Sequence, residues 1–85
     1  MNIIRSERYK RDFKKLPIDI KKRALVKLNM LVNAVNYPSL HVKKMEGAKD
    51  IWEMRASDNY RITFQYSGDD VVLRRIGSHD ILKKE

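Results

Sequence analysis

The sequence contains no cysteine among its 85 residues. A disulfide scaffold, a thiolate nucleophile and cysteine-ligated zinc or iron–sulfur centres are therefore excluded. Long apolar runs are missing too. No stretch approaches the roughly 18 residues that a spanning helix needs. The opening MNIIRSERYK lacks the apolar segment of a secretory signal. These features lead us to expect a cytoplasmic chain with no membrane partner. Glycine (3) and proline (2) are scarce, so no flexible linker divides the chain and each instance marks a turn or an element end. The glycine-rich phosphate loop, HExxH, GxSxG and EF-hand patterns are absent. The only two histidines, His41 and His79, stand far apart, so neither a metal site nor a cofactor is expected.

What the chain has in excess is positive charge. Lysine and arginine number 19 against 11 acids, a net charge of +8, with a pI near 9.9. So large a charge on so small a body spreads a positive potential over much of the surface. The expected partner is a polyanion, with nucleic acid ahead of acidic protein or anionic lipid. Hydrophobic residues make up 42%, enough for a folded core. The length suits one domain spanning residues 1–85, since two would leave neither half enough core.

Periodicity divides the chain in two. Residues 2–5 read as a short strand, and Ser6 as the N-cap of a helix carrying Tyr9, Phe13 and Leu16 on one face. Pro17 separates this helix from a second one over residues 18–35, whose expected core stripe is Leu25, Leu28, Val32 and Val35, widened by Ala24 and Leu31. Asn36-Tyr37-Pro38-Ser39 ends it. From Leu40 the period becomes two. Strands are expected over 40–45, 51–56, 60–66 and 71–76, with turns at 47–50, 57–59 and 67–70. Gly77 ends the last strand, and Ser78 caps a short tail helix. This order predicts an α+β fold: an N-terminal strand and a helical hairpin packed on an antiparallel sheet, then a short C-terminal helix. Trp52, Met54, Ile62 and Phe64 share the face that meets the helices. Glu53, Arg55 and Arg61 share the other, which water or a ligand reaches.

That second face carries the candidate chemistry. Arg55 and Arg61 flank one hairpin turn and point the same way from adjacent strands. Arg74 or Arg75 lies on the next strand, and His79 sits just past its end. Guanidinium groups hold a phosphate bidentately and neutralise charge that builds up on it. An imidazole exchanges protons near neutral pH. Together these are the minimal parts for cleaving RNA through its own 2′-hydroxyl. The bland alternative is a solvated polar face and a histidine capping a helix. Lys43, Lys44 and Lys83, with Arg55 and Arg74, complete the expected RNA-binding set. Trp52 is expected in the core rather than as a base platform. The basic helix faces Lys10-Arg11-Lys14-Lys15 and Lys21-Lys22-Arg23 either steer the protein to ribosomal RNA or are simply solvated.

Two segments, Trp52-Glu53-Met54-Arg55…Asn59-Tyr60-Arg61-Ile62-Thr63-Phe64 and Val72-Leu73-Arg74-Arg75-Ile76-Gly77-Ser78-His79-Asp80, resemble the RelE/ParE superfamily of type II toxins. The ending Arg75-Ile76-Gly77-Ser78-His79 is most similar to the YafQ-like branch of mRNA interferases. The resemblance covers essentially the whole chain. It implies a toxin that cuts mRNA at the ribosome, against 16S and 23S rRNA surfaces, and that a cognate antitoxin neutralises. It also implies roles: Arg61 grips the scissile phosphate, Arg75 stabilises the transition state, His79 is the general acid, and Arg55 lines the same groove. The general base is open between Glu53 and His41. Many RelE-type members end with a tyrosine after the glycine motif, whereas here the last aromatic is Tyr66. That departure keeps two other functions in view, a ParE-like DNA gyrase inhibitor and a catalytically degenerate toxin that only binds its antitoxin. In each case an acidic or amphipathic antitoxin is expected to cover the basic sheet face.

Overall fold

The computed structural model describes residues 2–33, 40–47 and 49–83. In chain order they form β1 (Ile3–Arg5), α1 (Glu7–Lys14), α2 (Ile18–Asn33), β2 (Lys43–Lys44), β3 (Trp52–Ser57), β4 (Tyr60–Ser67), β5 (Asp70–Ser78) and a 3-10 turn (His79–Lys83).

Local chemistry explains where each helix starts. Ser6 is extended (φ −69°, ψ 160°), and its hydroxyl accepts a hydrogen bond from the Tyr9 N–H at 3.1 Å, which satisfies one of the orphan donors of the first turn. Glu7 stands in that turn and Arg11 and Lys14 in the last, as the helix dipole favours. Pro17 precedes α2, and its carbonyl accepts from the Lys21 N–H at 3.0 Å; the missing proline N–H costs nothing at a helix start.

Tyr9, Phe13 and Leu16 turn inward as expected, with Tyr9 buried and its ring stacked on Phe13 at 5.9 Å. The expected stripe on α2 holds at Ala24, Leu28 and Leu31 but not at Leu25. Ile20, Ala24 and Leu28 are buried, while Leu25 is 50% exposed. Residues 24 and 25 differ by about 100° around the helix. The smaller side chain, Ala24, faces the sheet and lets the backbone approach it. Val35 and the expected helix end at 36–39 lie outside the described residues.

The sheet has five strands in the order β1-β5-β4-β3-β2. The β2–β3, β3–β4 and β4–β5 pairs are antiparallel, but β1 runs parallel to β5. The sheet is thus mixed at one edge, a correction to the antiparallel expectation. The cause is topological: the chain leaves β1 for the helices, and the meander brings the last strand back beside the first in the same direction.

The expected strand over 40–45 contracts to two residues, with His41 in a left-handed conformation (φ 50°) just before it. Met54, Ala56, Ile62, Phe64, Val71, Leu73 and Ile76 meet Tyr9, Ala24, Leu28 and Leu40 in the core. Trp52 packs on its rim, edge-on to Tyr66 at 5.5 Å. The Tyr9 hydroxyl is buried with no described hydrogen-bond partner. Burial pushes this phenol up to about 12, an effect that the nearby Arg5 charge partly opposes.

One irregularity in β5 shapes everything near it. Leu73 pairs with Phe64 but Arg75 with Thr63, so Arg74 is an extra residue in a bulge. Beyond the short β1, side chains cover the exposed edge of β5. The Ser6 hydroxyl donates to the Arg74 carbonyl at 3.0 Å, and the Ile76 N–H donates to the Asp12 carboxylate at 3.3 Å. Helix α1 thereby closes an edge that would otherwise offer unpaired backbone groups.

Candidate functional site

Cross-strand register places the polar residues of the open face in rows. Arg55 is the direct partner of Arg61, and Arg61 of Gly77. The next row is Lys43, Glu53, Thr63 and Arg75. Gln65 and Val72 pair farther along, where the Arg74 guanidinium donates to the Gln65 amide oxygen at 2.9 Å.

Two arginines facing each other across a strand pair repel, and such pairs destabilise a sheet. The Arg55 Nε is moreover buried with no described hydrogen-bond partner. A buried cationic donor in that position is costly unless an anion supplies the acceptor. Arg61 is anchored through one nitrogen: its Nη1 donates to the carbonyls of Ser57 (2.9 Å), Tyr60 (3.0 Å) and Asp58 (3.2 Å), wrapping the β3–β4 turn. This grip holds the guanidinium at the β3–β4 turn.

His79 opens the 3-10 turn two residues after Gly77, the partner of Arg61, and is exposed. Gly77 is required there by space. A Cβ on it would lie 2.7 Å from the Ile81 Cγ2. The 3-10 turn therefore folds back onto β5 over Gly77, which holds His79 at the Arg55–Arg61 end of the sheet.

Arg75 and Glu53 stand in the adjacent row. Arg75 forms a two-pronged ion pair with Asp12 of α1, Nε to Oδ2 at 3.0 Å and Nη2 to Oδ1 at 3.1 Å. Glu53 is buried at 8% exposure and stays near Lys43, Nζ to Oε1 at 3.9 Å. His41 is exposed and lies outside β2. Lys44 pairs with Trp52 in the register, on the opposite side from Lys43, and its ammonium sits 3.8 Å from Asp50. Lys83 is exposed at the end of the 3-10 turn.

The structure therefore brings Arg55, Arg61 and His79 to one end of the open face, with Glu53 one row in. Lys44 lies on the opposite side of the sheet from them. Asp12 was not anticipated. Its signal was its isolation, as the one acid after the first turn of a helix otherwise rich in lysine and arginine. The bulge had a signal too: Val71, Leu73 and Ile76 are spaced by two and then by three.

Comparison with known proteins bears on the fold. No family model matches the chain. Toxin RelE3 of Methanocaldococcus jannaschii is 28% identical over 78 residues, covering 89% of this chain and 88% of that one. The RelB–RelE antitoxin–toxin complex of Methanococcus jannaschii matches with a TM-score of 0.76 at 24% identity, over 95% of each chain. The chain has the RelE-like toxin fold. YafQ from E. coli strain BL21(DE3) superposes with a TM-score of 0.80 at 13% identity, covering 95% of this chain and 96% of that one. These matches span 95% of this chain, which folds as two helices on a five-stranded mixed sheet. No helix among the described residues is long and apolar enough to cross a membrane.

Proposed function

We propose that this chain is the toxin of a type II toxin–antitoxin system and cleaves mRNA on the ribosome without a metal ion. The observation that carries the reading is the Arg55–Arg61 pair. It places two cations in register, one with a buried unpartnered Nε, at the end of the sheet where His79 emerges. The similarity to RelE3 and the RelE-like fold support the toxin assignment. The presence of an antitoxin in the related complex supports a cognate antitoxin as partner.

In this mechanism the RNA 2′-hydroxyl attacks the adjacent phosphorus. Negative charge grows on the phosphoryl oxygens, where Arg55 and Arg61 stabilise it. His79 in its protonated form donates to the departing 5′-oxygen, and the other product ends in a 2′,3′-cyclic phosphate. Glu53 shares the sheet face with Arg55, which favours it over His41 as the base. Arg75 reaches the phosphate only if its pairing with Asp12 loosens, so its first role is to fix α1 against β5. Removal of a proton-transfer group should cost about 10²–10⁴-fold in rate.

The test is a cell-free translation reaction with mRNA ends mapped by primer extension, using wild type and His79→Ala. Discrete cuts that vanish in the variant support ribosome-linked cleavage with His79 in the chemistry. Intact mRNA with wild type rejects it, and accumulation of gyrase–DNA cleavage complexes would then assign a gyrase inhibitor.

A further inference from the structure

His79 has no side-chain tether of its own. Among the described residues, none forms a hydrogen bond or ion pair with its ring. Strand pairing ends at Ser78 and Tyr60, one residue before it. The direction of the imidazole therefore depends on the 3-10 turn that it opens, His79–Lys83. In that turn His79, Asp80 and Lys83 are exposed and Leu82 is half-buried, whereas Ile81 is buried. The turn packs on β4 and β5, and Ile81 is its anchor.

The anchor is a specific one. The Ile81 Cγ2 lies 2.7 Å from the point where a Cβ on Gly77 would stand. The branch methyl thus fills the space that the glycine leaves. It is bonded directly to the Cβ, and a β-branched side chain is stiff at χ1, so its seat fixes the backbone that carries it. A 3-10 turn rotates about 120° per residue. With Ile81 held on the sheet, His79 is turned about 120° away from it, out over the end of the sheet where Arg61 pairs with Gly77.

We infer that Ile81 is a positioning residue for His79: its branch methyl, seated over Gly77, sets the rotation of the 3-10 turn and so the aim of the imidazole. The inference rests on the RNA-cleaving reading above. Ile81 acts from beneath the turn, through the histidine. A proton donor works only within hydrogen-bond reach of the oxygen it serves, and a misplacement of about 1 Å costs on the order of 10²-fold in rate. A small rotation of the turn therefore lowers the rate of the chemical step and leaves RNA binding at the arginines unchanged.

Two variants separate aiming from plain burial. Ile81→Val keeps Cγ2 and loses the terminal methyl. Ile81→Leu keeps the volume and loses the branch at Cβ. A site that only buries apolar surface would accept leucine at least as well as valine. Ribosomes programmed with a short mRNA serve as the substrate, and single-turnover cleavage gives the saturating rate and the half-saturating toxin concentration. Ile81→Val should stay within about twofold of wild type in both, whereas Ile81→Leu should lose about 10- to 100-fold in saturating rate at an unchanged half-saturating concentration. Urea midpoints check that each variant is folded, and Ile81→Met, also unbranched at Cβ, replaces the leucine variant if that one unfolds. In a His79→Ala background Ile81→Leu should change the residual rate by less than about twofold, because no imidazole is left to aim. A leucine variant that cleaves like wild type, a valine variant as slow as leucine, or a loss that persists without His79 overturns the positioning role alone. A wild type that leaves the mRNA intact, or a His79→Ala variant that cuts at the wild-type rate, overturns the reading on which it rests.

Discussion

At the scale of single residues, the informative groups are those whose polar atoms are poorly or unusually satisfied. The Tyr9 hydroxyl is buried without a described partner, so removing it should not weaken the fold. Tyr9→Phe is expected to leave stability equal or raise it by about 1 kcal/mol, read from the urea midpoint. A clear loss would show that the hydroxyl makes a bond worth keeping. Asp12 is the opposite case. It accepts from both the Arg75 guanidinium and the Ile76 N–H. Asp12→Ala leaves a cation and a backbone donor without it, and should cost about 1.5–3 kcal/mol, less than a fully buried pair because both side chains are nearly a fifth exposed. Thermal melting of the variant checks this value. The sequence does not reveal the partners of either residue. What sets them apart is which atoms surround them.

At the scale of elements, the last strand and the turn after it decide how the site is built. Gly77 lies under the 3-10 turn, with Ile81 packed where a side chain would go. Gly77→Ala pushes against a methyl fixed to the Cβ of Ile81, close to the backbone, not against the end of a long flexible side chain. It should destabilise by about 1–3 kcal/mol. Because the turn carries His79, cleavage should fall by more than the stability loss alone explains. Activity that matches wild type at temperatures well below melting would show that the turn adjusts without moving the histidine. The strands themselves were legible. The alternation Tyr60, Ile62, Phe64 and Tyr66 against Arg61, Thr63 and Gln65 appears as two faces of the sheet, with Ile62 and Phe64 in the core, although Thr63 on the other face is buried and Tyr66 is 45% exposed. On α2 Ala24, Leu28 and Leu31 were legible but the exposure of Leu25 was not, because Leu25 and Ala24 are both acceptable on an apolar stripe. Only the closeness of the sheet selects the smaller one.

At the scale of the whole molecule, burial of Tyr9 links folding to alkaline pH. Its folded-state value is raised from 10.0 to about 12, so the native state prefers the neutral phenol. The linked stability, about 2–3 kcal/mol, is fully present below pH 10 and is lost as pH rises from about 10 to 12. Tyr9 should therefore ionise together with unfolding, seen as a step in phenolate absorbance near pH 12 that Tyr9→Phe abolishes. Composition and periodicity determined the α+β class, the order of the elements, the sign of the surface charge and the membership of the arginine face. Each depends on residue type and on neighbours close in the chain. Tertiary structure decided what depends on distant segments: the parallel pairing of β1 with β5, the capture of Arg75 by Asp12 and the folding of the 3-10 turn over Gly77. The physical reason is range. Hydrophobic period and capping act over a few residues, whereas the partner of a charged group is set by which remote backbone arrives beside it.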